Sequence, residues 1–202
     1  MKRISTYLVM ACFSIASAAI GAELDTIIAG CNDCHGKNGV SLQTEVPTIA
    51  GLSMFYHSDQ LIFFSEGERP CGETGFRQGD ASEPPANMCD IARALSEDDF
   101  DAIAEHYAAL PFMPAEQDFD AELAAAGAAI HESDCVRCHS DGGANPDDDA
   151  GILAGQWMGY LRTALAEFRS GEREQLDTMK ENIDALSDED IEALLHYYAS
   201  QQ

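Results

Sequence analysis

The pentapeptide Cys-x-x-Cys-His occurs twice, as Cys31-Asn32-Asp33-Cys34-His35 and as Cys135-Val136-Arg137-Cys138-His139. No other feature constrains the chain so tightly. Two thiols one helical turn apart reach the two vinyl groups of one porphyrin and form thioethers, and the histidine beside the second thiol then lies under the iron as its proximal ligand. The spacing predicts two covalently bound haem c groups, one held by Cys31, Cys34 and His35, the other by Cys135, Cys138 and His139. A structural zinc site would gather four ligands at one centre, usually from two Cys-x-x-Cys pairs. A thioredoxin-type pair needs no following histidine and sits in a βαβ context, which this chain lacks. Two haems in one small chain point to electron transfer.

The chain also repeats itself. Cys31 maps onto Cys135 at an offset of 104 residues, and the same offset carries Ala50-Gly51 to Ala154-Gly155, Tyr56 to Tyr160, Phe64 to Phe168 and Gly67-Glu68-Arg69 to Gly171-Glu172-Arg173. Later the offset falls to 91, where Met88 meets Met179, Ala94-Leu95-Ser96 meets Ala185-Leu186-Ser187 and Tyr107 meets Tyr198. The difference is a 13-residue insertion in the first half, between Arg69 and Met88. Each half reads as one haem domain, spanning 23–110 and 119–202, with a linker at 111–118 where Pro111 and Pro114 break helical structure.

Within each half the pattern is helical. Ser96 with Asp99 and Ser187 with Asp190 form capping boxes that open the last helix of each domain. Phe100, Ile103, Ala104 and Tyr107 recur at i, i+3, i+4 and i+7, as do Ile191, Leu194, Leu195 and Tyr198. Further helices are expected over Met54–Ser65 and Trp157–Ser170, and from Leu123 to Glu132 leading into the second motif. Nothing alternates as a strand. The expected class is all-α.

Residues 1–22 read as a secretory signal peptide. Lys2 and Arg3 precede an apolar run from Tyr7 to Ile20, and Ile20-Gly21-Ala22 offers a small-residue cleavage site. The run is too short to span a bilayer of about 20 residues, and no later segment is apolar enough to cross a membrane. Export to the periplasm also suits covalent haem attachment. A net charge of −25 disfavours nucleic acid and anionic lipid and favours basic patches on protein partners. Of seven cysteines, Cys12 leaves with the signal and four hold haem. Cys71 and Cys89 remain, and an even remainder in an oxidising compartment suggests a disulfide, with two buried free thiols as the alternative.

Each iron needs a second axial ligand or an open position. The repeat nominates Met88 and Met179, each late in its domain on a loop that can cross back over the haem face opposite the histidine. Met/His ligation raises the reduction potential. Bis-histidine ligation is the rival, but His57, His106, His131 and His196 do not recur as histidine in the other half and read as surface or helix-face residues. The Pro47 carbonyl is placed to hold the His35 ring through Nδ1, with Gly151 at the equivalent position for His139. A Cys71–Cys89 bond would clamp the segment that carries Met88.

Tandem motifs of this kind, with Ala-Gly after each, Gly-Glu-Arg before the methionine and Leu-Ser opening the last helix, resemble the dihaem cytochromes of the c4 type. In the second half Pro114-Ala115-Glu116-Gln117-Asp118-Phe119-Asp120, Ile152-Leu153-Ala154-Gly155-Gln156-Trp157 and the terminal Tyr198-Ala199-Ser200-Gln201-Gln202 resemble the cytochrome subunit of flavocytochrome c sulfide dehydrogenase. The resemblance implies two class I cytochrome c domains, no catalytic centre in this chain, and a heterodimer with an FAD-containing flavoprotein that oxidises sulfide. This subunit would pass the electrons to a small soluble acceptor such as a cytochrome. The alternative within the family is a freestanding carrier to a terminal oxidase. The insertion with Cys71 and Cys89 departs from the family pattern.

Overall fold

The computed structural model describes residues 16–75 and 85–202. Most of the expected signal peptide and the middle of the insertion lie outside the described residues. In the first half, helix α1 (Ala16–His35) runs straight into the first motif and ends on its histidine. Helix α2 (Met54–Glu66) starts where Ser53 accepts a hydrogen bond from the Tyr56 N–H, and it stops at Gly67, whose φ of 80° is the left-handed conformation that closes helices. The short α3 (Met88–Arg93) is opened by Asn87, whose side chain accepts from the Asp90 N–H. Helix α4 (Glu97–Ala108) begins with the Ser96/Asp99 capping box.

The second half repeats the plan. Asp120 caps α5 (Ala121–Ile130), and a single π-helical turn over His131–Cys135 then leads into the second motif. Helices α6 (Met158–Ser170) and α7 (Asp177–Ala185) follow, and α8 (Asp188–Ala199) opens on the Ser187/Asp190 capping box. Among the described residues there is no strand, only an isolated antiparallel bridge between Thr74 and Ala86. No helix among them is long and apolar enough to cross a membrane.

Two apolar clusters organise the halves. Ile28, Leu61, Phe64, Phe100, Ile103 and Tyr107 form the first, and Leu161, Leu194, Leu195 and Tyr198 the second. The helical stripe read from the sequence is the buried one in each case. Helices α5 and α8 lie so close that a Cβ on Gly127 would fall 2.1 Å from the Ala193 carbonyl oxygen, so only glycine fits there.

Two features differ from the sequence reading. Met88 and Met179 stand in the first turns of short helices, not on loops. Helix α5 ends at Ile130, because the chain widens to the π turn before Cys135.

Candidate haem sites

Cys31, Cys34 and His35 occupy the last turn of α1, against the first core. Burial pushes the Cys31 thiol up to about 11, although the Tyr107 hydroxyl favours its thiolate, so near neutral pH it is a neutral thiol and not a metal-binding thiolate. His35 is buried, and its Nδ1 lies 2.9 Å from the Pro47 carbonyl oxygen. A carbonyl only accepts, so Nδ1 carries the proton and the Nε2 lone pair is left for iron. Met88 packs against the same apolar cluster as Cys31. The next residue, Cys89, is bonded to Cys71, with Cα atoms 5.8 Å apart. Thr74 and Ala86 exchange two backbone hydrogen bonds of 2.9 and 3.0 Å, so the insertion is closed twice at its base.

The second site is more open. Cys138 is exposed and Cys135 half-buried. The His139 Nδ1 is buried without a hydrogen-bond partner; the Gly151 carbonyl acts on the ring but falls outside hydrogen-bond geometry. Proline at position 47 therefore has no working counterpart at Gly151 in this structure. Met179 is half-exposed in α7, and that helix is tied to the motif by Asn182, whose amide donates to the Asp134 carbonyl at 2.7 Å. Met158, not Met179, packs against the second core.

The spare histidines divide. His106 and His196 lie half-buried on helix faces, but His57 and His131 are 6% and 2% exposed, so the surface half of the surface-or-helix-face reading does not hold for these two. Helix packing, not sequence polarity, buries them. Each sits beside a proximal histidine: the His35 charge acts on His57, and the His131 charge acts on His139. The His131 Nδ1 pairs with the Tyr198 hydroxyl at 3.0 Å. Neither has a local sequence signal for this role.

The halves grip each other along the loop that supports His35. The Gln156 side chain accepts from the Thr48 N–H at 3.1 Å and donates to the Thr48 carbonyl at 2.6 Å. The Trp157 ring N–H donates to the Ser41 carbonyl at 3.1 Å, and the Tyr160 N–H to the Thr44 carbonyl at 2.7 Å. Sequence periodicity had no means of finding these partners.

The donor set fits haem c and not a bare ion. Each site offers two cysteines one turn apart and one imidazole, and among the described residues no cluster of three or more Cys, His, Asp or Glu is arranged to hold a metal ion. Fold and sites together define a dihaem c-type cytochrome of two class I domains, an electron carrier.

Comparison with known proteins narrows the class. The chain is 30% identical to the thiosulfate dehydrogenase electron acceptor of Stutzerimonas stutzeri over 84% of its length and 78% of that protein. Its fold matches reduced cytochrome c4 from Pseudomonas stutzeri with a TM-score of 0.71 and 25% identity, over 90% of this chain and 98% of that one. It also matches a thiosulfate dehydrogenase from Marichromatium purpuratum with a TM-score of 0.67 and 27% identity, over 90% of this chain and 39% of that one. Residues 122–197 match the family model of cbb3-type cytochrome c oxidase subunit III. The chain belongs to the cytochrome c4-like dihaem family.

Proposed function

We propose that this chain is a periplasmic electron acceptor for a thiosulfate-oxidising dehydrogenase. It is exported by residues 1–22 and built from haem domains at 23–110 and 119–202 joined through 111–118. Cys31, Cys34, Cys135 and Cys138 would be the thioether anchors, His35 and His139 the proximal ligands, and Met88 and Met179 the distal ones. The observation that carries this reading is the similarity, across both halves, to a protein named for that acceptor role. When bound, each haem supplies a one-electron couple. The chain itself fixes the imidazole tautomer at His35 through Pro47, excludes water with two apolar cores, and presents an acidic surface to a basic partner.

Two competing readings follow from other observations. The second-half residues that resemble the flavocytochrome subunit favour a sulfide-oxidising flavoprotein. The coverage of 98% of a cytochrome c4 chain favours a freestanding carrier to a terminal oxidase. The test mixes oxidised holoprotein with catalytic amounts of a thiosulfate dehydrogenase and thiosulfate, and in parallel with a sulfide-oxidising flavoprotein and sulfide, and follows haem reduction spectroscopically. Rapid reduction in the first mixture alone is expected. Reduction only in the second, or in neither while a terminal oxidase rapidly oxidises the reduced protein, would replace the proposal.

A further inference from the structure

The two halves differ along the outer groove beside their last helix. In the second half this groove runs between α6 and α8 and is lined by Arg162, Leu165, Arg169, Asp188, Ile191 and Glu192. Two arginines cross it. The Arg162 guanidinium donates to both Glu192 carboxylate oxygens, at 2.6 and 3.0 Å. That of Arg169 donates to the Asp188 carboxylate at 2.6 Å and to the Leu186 carbonyl at 2.8 Å. The two arginines are seven residues apart, so they leave one face of α6 two turns, about 10 Å, from each other.

The groove of the first half, between α2 and α4, keeps the acids and lacks the arginines. The repeat puts Ser58 at the place of Arg162 and Ser65 at that of Arg169, while Asp101 stands for Glu192 and Glu97 for Asp188. Ser58 still donates to Asp101 at 3.4 Å, but among the described residues no ion pair joins α2 to α4. Phe55 and Ile62 replace Gly159 and Ala166, and they are 62% and 39% exposed. Phe55, Ser58, Ile62 and Ser65 fall at i, i+3, i+7 and i+10, on one face of α2. Ile62, Leu95 and Phe100 line the groove together with Glu66 and Glu97. Arg93 also lines it, but its guanidinium pairs with Asp90 at 3.5 Å and donates to the Ser65 carbonyl at 3.2 Å. No haem anchor or proposed iron ligand is among the lining residues.

We propose that the α2–α4 groove of the first half is a docking surface for the enzyme that reduces this chain, and that the enzyme seats there a basic face with two arginine or lysine side chains about 10 Å apart astride an apolar one. The second half is the template, because there the chain itself lays two guanidinium groups against the same carboxylate positions. In the first half those carboxylates are left to a partner, beside an enlarged apolar stripe. Burial of Phe55 and Ile62 supplies affinity, and the acidic rim steers the approach. A second copy is a poor occupant, since its net charge is −25 and its own matching arginines are already paired. The inference rests on the reading that a dehydrogenase is the electron donor, and it holds for either dehydrogenase considered above.

The test is Ser58→Arg with Ser65→Arg in the full-length holoprotein, which fills the groove as the second half fills its own. Haem reduction by whichever dehydrogenase reduces the parent is followed by stopped flow across a range of salt. The double variant is expected to lose about tenfold in second-order rate at low salt, with a flatter salt dependence, while both haem potentials stay at the parent values. Glu97→Gln with Asp101→Asn removes the rim charge without adding bulk and should slow reduction in the same way, which keeps the test open if the arginine variant fails to mature. A parental rate and salt slope in both variants would overturn the proposal. So would a loss confined to reoxidation by a terminal oxidase, or a parent that dimerises where the arginine variant does not. If neither dehydrogenase reduces the parent, the functional reading fails by itself. The groove is then judged by amide NMR of the reduced holoprotein, titrated with a helical peptide that carries two arginines seven residues apart and leucine between them. Shifts confined to α2 and α4 are expected, and shifts scattered over the surface or centred on the second half would overturn the assignment.

Discussion

Gln156→Leu separates the two halves at the point where one supports the other's haem ligand. Gln156 and Thr48 are 2% and 1% exposed, and two hydrogen bonds of 2.6 and 3.1 Å join the amide to the Thr48 peptide. Leucine fills nearly the same volume but orphans the Thr48 N–H and C=O. Each orphan costs about 1–3 kcal/mol, so the loss is about 2–6 kcal/mol. At about 2–4 °C per kcal/mol for a chain of this size, a loss near 4 kcal/mol lowers Tm by about 8–16 °C. A second effect follows from the next residue, because the Pro47 carbonyl holds the His35 Nδ1. Slackening that loop weakens the hydrogen bond, makes His35 a poorer donor to ferric iron and raises the first haem's potential. Leu52 and Ile152 occupy the equivalent places in the repeat, so the clamp runs only from the second half to the first, and the second haem should keep its potential. Calorimetry of the holoprotein and a two-step redox titration measure both effects. A parental melting point, or an equal shift at both haems, would refute the reasoning.

Met88→Ala and Met179→Ala should each lower the potential of one haem, within the roughly 0.8 V that axial ligation commands, and open that ferrous iron to carbon monoxide; an unchanged potential would show that the ligand is another residue. Replacing Cys71 and Cys89 together by serine removes a bond across 18 residues and should cost about 3 kcal/mol, read from the denaturant midpoint, with no change in midpoint counting against a clamp. Burial, reinforced by the His35 charge, lowers the pKa of His57 from 6.5 to about 4. Between those values the unfolded chain binds more protons than the folded one, so stability falls as pH falls through that window. His57→Leu, matching Leu161 in the second half, should therefore remove up to about 3 kcal/mol of acid-side loss, and an unchanged pH profile between 6.5 and 4 would exclude His57 as its source. Gly127→Ala should destabilise by about 1–3 kcal/mol or more, since its Cβ would meet the Ala193 carbonyl; a parental stability would mean that α5 and α8 separate at little cost.

The legible parts of this molecule were those encoded locally. The haem motifs, the capping boxes at Ser96 and Ser187, and the stripes ending at Tyr107 and Tyr198 each depend on residues within a turn or two, and their spacing is their structure. Helix α3 was equally available, because Asn87 three residues before Asp90 is an N-cap signal of the same kind as Ser96 before Asp99. Burial of His57 and His131 was not legible. Their neighbours along the chain are polar or mixed, and His57 packs against Tyr107 and His131 against Tyr197 and Tyr198. The contacts of Gln156 with Thr48 and of Arg173 with Tyr56 join residues 108 and 117 apart, beyond any helical period. The repeat gave a partial hint, since Arg69 and Arg173 recur with Tyr56 and Tyr160, but it did not say that the pairs cross.

That crossing bears on how a duplicated haem domain becomes a relay and not merely two carriers on one string. The motif, the closing tyrosine and the buried arginine recur at matching positions. Residues that break the repeat cluster where one half touches the other or touches only one haem. Gln60 bridges the Arg69 and Arg173 guanidinium groups, but its equivalent is Ala164. Gln156 braces the first half's loop and receives no such brace in return. Proline supplies the carbonyl that holds His35, glycine stands at the equivalent place beside His139, and the disulfide-closed insertion guards only the first half. Each asymmetry acts on a quantity that sets potential, namely ligand basicity, enclosure or nearby charge. Two identical sites would leave an electron no preferred end. A symmetric scaffold carrying asymmetric second contacts can set two potentials apart without altering either haem's anchors, so divergence at the interface is where selection for direction can act at least cost to folding.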